Sequence, residues 1–391
     1  MRNKQYILIA TSRSQVGQIK NAAGTTGQFA TGIIHFLNKS YLLILFLTFL
    51  FASCEQEPVE VVYADLGDKR GVFISSEGNY MYGNASLSFY DRDARVVYNN
   101  VFYARNRAPL GDVAQSITSD GRNLFIVVNN SGKIVVTDRR TLEFKHTITG
   151  LVSPRYIHFV SENKAYVSDL YSDRITIINP STFEKRGYIQ VSDGIKNSGK
   201  HTTESFTQSG NRVFVSCWKN ENQILVIDPV TDKLTDSITV PMQPRKLITD
   251  KNQKIWVLTD GNPAGAPGGP EKPSLVRIDP ATLTVEQIYR WNTGSEYSGD
   301  LQLNPAKDTL YIISGDLYRM PVNARRFPEE PFIGSSGRKF FSMGVDPKSG
   351  EIYLTDAIDY MQRAMVYRYS PQGALTDTFR VGINPGAFWF N

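Results

Sequence analysis

The sequence predicts an all-β chain, a seven-bladed β-propeller closed by pairing of its C-terminal strand with its N-terminal blade. Three features predict it. An aromatic-centred strand recurs seven times, a second strand follows each copy, and one strand is left over at the C-terminus where the first copy lacks one. Recurrence at a near-constant period marks a repeat architecture.

The recurring unit places an aromatic residue among β-branched or leucine neighbours. It reads Val72-Phe73-Ile74, Leu124-Phe125-Ile126, Ala165-Tyr166-Val167, Val213-Phe214-Val215, Ile255-Trp256-Val257, Leu310-Tyr311-Ile312 and Ile352-Tyr353-Leu354. The aromatics fall 52, 41, 48, 42, 55 and 42 residues apart, a mean of about 47. That interval holds four short strands and is too short for strands alternating with helices. These aromatics are expected in the core between blades.

The second strands end at Asp91, Asp138, Asn179, Asp228, Asp279, Pro321 and Ser370. In the better copies a turn follows, as in Asp228-Pro229-Val230-Thr231. Asp or Asn caps the turn backbone and Pro presets φ at the next position. A third strand then leads outward, as Lys233 to Val240 does. A fourth strand precedes each aromatic unit after the first: 114–119, 155–160, 204–209, 245–250, 300–304 and 341–346. The surplus strand, Gly386 to Asn391, supplies the one missing from the first blade. Closing the ring this way leaves no open sheet edge.

Ahead of the repeats the chemistry changes. Residues 1–53 hold Arg2, Lys4, Arg13, Lys20 and Lys39 but no Asp or Glu. Of the 43 basic and 38 acidic residues in the chain, 38 of each remain from residue 54 onward. With no sustained basic stripe, the sequence points away from nucleic acid. Four His and two Cys argue against a Cys/His zinc site or a disulfide scaffold. The run Tyr41–Ala52 is too short to cross a bilayer and suits a signal-peptide core. Residues 1–36 exceed an ordinary leader, so translation is expected to start near Leu37.

Leu50-Phe51-Ala52-Ser53-Cys54 resembles the lipobox of bacterial lipoproteins, with Phe51 where an aliphatic residue is usual. That resemblance implies cleavage before Cys54 and lipidation of Cys54. The expected organisation is a signal segment over 1–53, a lipidated tether over 54–70 and the propeller over 71–391. The membrane is then met only through the lipid, at the outer membrane. Glu55 and Glu57 fit display toward the cell exterior.

Loop length separates the two faces. The turns from inner to aromatic strand are tight, and the Asp-Pro turns share their side. The opposite connections are longer, among them 76–85, 103–112, 192–202, 261–273, 292–298 and 357–364. Binding residues concentrate on such loops. They carry Tyr80, Tyr82, Tyr103, Tyr171, Trp218, Tyr297 and Tyr360, interleaved with Asn79, Asn84, Asn106, Asn130, Asn220 and Gln362. Arg155 and Arg245 each follow a proline and are expected at the mouth of the central channel. Aromatic plates, amides and a few guanidiniums suit a large organic ligand, neutral to anionic.

Catalytic sets are hard to assemble. His146 and His158 fall in strands and His201 in a loop, with no nucleophile–base–acid grouping around them. Glu77, Asp169, Asp260 and Asp356 end aromatic strands and could hold a Ca²⁺, although solvated strand ends explain them as well. The glycines of 261–269 lack the Gly-Lys-Ser/Thr ending of a phosphate loop. No catalytic residue and no resident metal or cofactor is expected.

The strings GVFISSEGNYMYGNASLSFYD, PLGDVAQSIT, IVVNNSGKIVVTD, SPRYIHFVSENKAYVSDLYSDRITIIN and VGINPGAF together resemble the YncE-like propeller lipoproteins, over roughly 70–391. That family includes the BtuG-type proteins, which capture cobamides such as vitamin B12 at the cell surface. The resemblance implies a non-enzymatic capture protein that caps a TonB-dependent outer-membrane transporter and passes a cobamide to it. It transfers no ligand residue individually. A lactonase- or quinoprotein-like propeller enzyme and a protein-interaction propeller remain the alternatives.

Overall fold

In the computed structural model, which describes residues 66, 69–192, 201–266, 268–291 and 299–391, seven antiparallel sheets form a β-propeller. Blade 1 runs from channel to rim as Pro385–Phe390, Gly71–Ser76, Ser86–Asp91 and Val96–Tyr98. Blade 2 is Ala114–Ser119, Asn123–Val128, Lys133–Asp138 and Phe144–Ile148; blade 3 is Pro154–Ser161, Lys164–Asp169, Arg174–Ile178 and Lys185–Gln190. Blade 4 comprises Thr203–Ser209, Arg212–Cys217, Gln223–Asp228 and Lys233–Thr239. Blade 5 comprises Pro244–Thr249, Ile255–Thr259, Ser274–Asp279 and Thr284–Arg290. Blade 7 follows the same order with Phe340–Val345, Ile352–Asp356, Met365–Tyr369 and Leu375–Arg380. The inner strands touch in sequence around the ring, and that of blade 7 touches Pro385–Phe390 to complete it.

Seven apolar cores follow from this arrangement, one between each pair of neighbouring blades. Phe125 fills the core between blades 2 and 3, Phe214 that between 4 and 5, and Trp256 that between 5 and 6. All seven repeated aromatics are buried. Each such side chain stabilises the fold by about 1.5–3 kcal/mol.

Closure occurs as the strand count requires. Val72 pairs with Phe390, Phe73 with Trp389 and Ile74 with Phe388. The seam is reinforced at its other edge, where Tyr90 stacks on Phe379 with ring centroids 4.1 Å apart. Arg92 pairs with Asp346, while Arg368 bonds Glu351 at 2.7 Å and the Tyr90 hydroxyl at 3.1 Å.

The turns repeat as faithfully as the strands. Asp138 Oδ1 accepts from the backbone of Arg140 and Thr141, and Asn179 Oδ1 accepts from Ser181 and Thr182. Four residues after the capping residue, Arg95, Leu142, Phe183, Asp232 and Leu283 all take positive φ. The amides of Leu142, Phe183 and Asp232 return to the carbonyl of the capping residue.

Two features depart from the sequence expectation. Blade 6 has three strands, Leu301–Leu303, Thr309–Ser314 and Asp316–Pro321, rather than four. Pro328 and Pro331 remove ladder donors from the segment that follows, leaving one bridge, Leu317 to Ile333. Phe327 and Ile333 are buried there instead. The connection from blade 1 to blade 2, expected as a loop, contains a short helix, Val101–Asn106. Its Val101, Phe102 and Ala104 are buried, so an apolar face and not turn chemistry decides the segment.

Candidate functional site

The site is built by a repeated irregularity. Six of the seven inner strands carry a register shift just after entering the sheet, between 114 and 116, 154 and 157, 203 and 206, 244 and 246, 340 and 343, and opposite Ser75–Ser76 in blade 1. A bulge of this kind breaks the pleat and re-aims the side chains within it. The residues it releases are Gln115, Arg155 and Tyr156, Glu204 and Ser205, Arg245, Phe341 and Ser342, and Gly386. They occur at the same end of each inner strand.

Three of these blades join through one guanidinium. Arg155 Nε and Nη2 donate to Glu204 at 2.6 and 2.8 Å, and Nη1 donates to Gln115 at 2.5 Å. Burial works against the Arg155 charge, but the Glu204 carboxylate outweighs it and holds the guanidinium above its ordinary range. Lys246 reaches Asp300 at 3.3 Å and lies 5.9 Å from the Tyr156 ring. Burial raises the Glu77 carboxyl above its ordinary value, against the lowering pull of Arg155 and Arg245.

Trp218 caps this charged group. Its ring centroid lies 5.5 Å from the Arg155 guanidinium and 6.0 Å from that of Arg245, and its Nε1 donates to Asp260 at 2.7 Å. An indole face set against two guanidiniums is a favourable cation–π arrangement. Next to it, Lys219 Nζ donates to the Tyr171 hydroxyl at 2.8 Å, which draws Tyr171 of blade 3 into the same group. The structure therefore brings Arg155, Tyr171, Trp218 and Arg245 together.

A second group forms where blades 7 and 1 meet. Asn79 Nδ2 donates to the Tyr360 carbonyl at 2.7 Å, and Asn84 Oδ1 accepts from the Asn79 amide at 2.8 Å. Gly78, at φ +76°, makes this turn; a Cβ there would lie 2.3 Å from Asn84 Oδ1. Tyr80, Met81 and Tyr82 project from it, Tyr82 with 72% of its surface exposed. Tyr360 meets Phe341 edge-on at 6.1 Å. Asn130 bonds Asp112, which also accepts the Met81 amide at 2.7 Å.

Other expected positions are placed differently. Tyr103 and Asn106 lie on the short helix, where Asn106 bonds the Leu142 carbonyl and the Phe144 amide at 2.9 Å each. That contact ties the helix to an Asp-turn of blade 2, on the opposite side from the long loops. The Gln362 side chain bonds Asp359 within its own loop. Tyr297 and Cys54 lie outside the described residues.

The strand-end carboxylates considered for Ca²⁺ have other occupations. Asp169 accepts from the amides of Val152, Ser153, Tyr171 and Ser172. Asp356 accepts from Lys339 and Ile358, and Asp260 holds Trp218. The histidines are likewise engaged locally: His158 with Gln208 at 3.0 Å, His146 stacked on Phe183, and His201 with Glu221. Burial pushes the Cys217 thiol well above its ordinary range, which makes it a poor nucleophile.

Sequence reading missed Gln115, Glu204, Tyr156 and Phe341 as members of the site. Each lies within or beside a bulge, so the available signal was the residue after the first one of every inner strand. On the opposite face, a cleft of about 360 Å³ between blades 6 and 7 is lined by Pro305, Tyr311, Arg319, Pro321 and Pro371. Its one guanidinium, Arg319, is stacked on Phe332 at 4.0 Å, so no polar convergence comparable to that around Trp218 is found there.

Comparison with known proteins gives a family match and a fold. The family described as a domain of unknown function, DUF5074, matches residues 70–382. No curated protein matches the sequence. Among solved structures, the chain is similar to a quinoprotein alcohol dehydrogenase-like protein from Bacteroides thetaiotaomicron (15% identity, 83% of this chain and 78% of that one, TM-score 0.63). It is also similar to a protein provisionally named a 6-phosphogluconolactonase from Bacteroides uniformis (16%, 83% and 100%, TM-score 0.61). A third similarity is to hydrazine synthase from Kuenenia stuttgartiensis (17%, 70% and 88%, TM-score 0.53). At these identities the likeness is one of fold.

Proposed function

The chain belongs to the DUF5074 family, and from that premise we propose a non-enzymatic surface lipoprotein that captures a cobamide on its long-loop face. In this reading Cys54 carries the lipid, residues 54–70 form the tether, and the ligand passes to a TonB-dependent outer-membrane transporter. The observation that carries the proposal is Trp218, set against Arg155 and Arg245 at one end of the bulged inner strands.

A cobamide offers a broad macrocycle edge ringed with amides and a single phosphodiester. The exposed rings of Tyr80, Tyr82, Tyr171 and Tyr360 give flat apolar area with a polar tip, which suits such an edge. For the phosphodiester the cations at hand are Arg245 beside Trp218 and the exposed Lys219, since Arg155 is bound by Glu204 and Gln115. Trp218 would be the buried anchor and the tyrosines the rim, the usual anatomy of a binding face. The resemblance to the BtuG-type proteins supports the same ligand class.

Titration of the purified protein with cyanocobalamin tests the proposal. We expect binding, and at least one of Tyr82→Ala, Trp218→Ala and Tyr360→Ala to weaken it about thirtyfold, the effect of losing about 2 kcal/mol. Asp228→Asn, in a turn on the other face, should leave the dissociation constant unchanged. No binding by the parent at micromolar ligand removes the cobamide. Loss with Asp228→Asn alone would show the wrong face.

A further inference from the structure

Beside Trp218, three side chains of different chemistry converge. Cys217 is the last residue of the aromatic strand of blade 4, Glu221 lies four residues on, and His201 leads into the inner strand of the same blade. One ligand atom from each lies within 4.8 Å of the others. Among the described residues no other group of three or more His, Cys, Asp or Glu side chains meets in this way.

The backbone enforces the convergence. Asn220, at φ +60°, reverses the chain, and the Glu221 amide returns to the Trp218 carbonyl at 3.4 Å, which folds Glu221 back toward Cys217. The Trp218 amide donates to the Thr202 carbonyl at 2.9 Å and the Gln243 amide to the Glu221 carbonyl at 2.7 Å. The Glu221 carboxylate is oriented on one oxygen by the Thr202 amide at 2.5 Å and hydroxyl at 2.7 Å, leaving the other to His201 Nδ1 at 2.5 Å. Such outer contacts are what fix a carboxylate for metal binding.

Cys217 is the second, independent observation. Its side chain is completely enclosed, and its thiol has no hydrogen-bond partner among the described residues. A polarizable sulfur is thus held against an imidazole and a carboxylate.

We propose that His201, Cys217 and Glu221 form a zinc site with these three side chains as its protein ligands. Thiolate, imidazole and carboxylate together favour Zn²⁺ over the oxygen-seeking Ca²⁺ and Mg²⁺. Tetrahedral coordination at ordinary Zn–ligand lengths spaces donors about 3.4 Å apart, so the His201–Glu221 contact opens by about 1 Å as the metal enters. The thiol proton leaves for solvent as the Zn–S bond forms. The ion cross-links the approach to the inner strand with the loop that follows the aromatic strand, and Trp218 stands directly next to a ligand. The site thereby sets the position of that indole, whatever molecule the face takes.

The reduced, chelator-treated protein, titrated with Zn²⁺ and with Co²⁺ as a visible probe, tests this. We expect one equivalent of either metal, a thiolate-to-Co²⁺ charge-transfer band lost in Cys217→Ser, and at least tenfold weaker Zn²⁺ binding in Glu221→Gln and His201→Asn. Tryptophan fluorescence should change on Zn²⁺ addition, and the change should vanish in Trp218→Phe. Because Cys217→Ser alters a buried position, the two milder variants decide if it fails to fold. A Co²⁺ complex without the thiolate band, no binding at tens of micromolar metal, or unchanged affinity in both Glu221→Gln and His201→Asn would each overturn the proposal.

Discussion

Asp138 shows how single side chains hold this ring. Burial acts to raise its carboxyl, but the Lys145 ammonium and the amides of Thr141 and Arg140 outweigh it, lowering the pKa to about 2. A carboxylate depressed on folding contributes stability that is present above its unfolded pKa, near 4, and is lost as pH falls toward 2. Asn keeps the turn acceptor, as Asn179 does in blade 3. Asp138→Asn should therefore cost about 1 kcal/mol at neutral pH after solvent screening, a cost that shrinks below about pH 4 and vanishes as pH falls through about 2. Denaturant titrations of both proteins across that range provide the check; a difference independent of pH contradicts it. Turn residues such as Asp138 and Asn179 were legible because their partners are two or three positions away. Glu204 was not, because its partner Arg155 is 49 residues distant and meets it only once two blades are side by side. The same holds for His201, whose meeting with Cys217 and Glu221 depends on how two loops of blade 4 fold together.

Whole elements were legible wherever one periodic pattern sufficed. The aromatic strands are short runs buried at nearly every position, and every one of the seven occurs at its predicted place. Elements set by what is missing were harder: Pro328 and Pro331 suppress a fourth strand, and an apolar face turns Val101–Asn106 into a helix. The Pro385–Phe390 strand was legible by arithmetic, and its energetics are open to test. Phe388 and Phe390 pack with Tyr353 across the seam, and Trp389 lies 6.0 Å from Phe73. Deleting Gly386–Asn391 removes these contacts together with the ladder to Gly71–Ser76. We expect a loss of more than about 3 kcal/mol from a typical total of 5–15, seen as a lower and broader thermal transition. A deletion variant that melts like the parent would show that the other six blades suffice.

At the scale of the molecule, equal numbers of basic and acidic residues from 54 onward leave no formal net charge to draw a polyanion. Delivery to a partner under the proposed function then depends on anchorage, and Cys54→Ser should leave an unacylated protein that no longer fractionates with the outer membrane. Retained fatty-acid labelling in that variant would sink the anchoring proposal. The count of seven blades was readable because repeats report whole-molecule symmetry; the chemistry of the long-loop face was readable only in part, because the bulge repeats while the residues it re-aims differ from blade to blade. Closure has a further consequence, in time instead of space. Val72 finds its partner only when Phe390 has been made, so almost the entire chain must be synthesised before the first blade can be finished. Contacts of such sequence separation form late, and until then Gly71–Ser76 offers an unpaired strand edge to any neighbour. A polypeptide that stalls short of residue 385 lacks the strand that completes the first blade. Completeness of translation is written into the order of the strands.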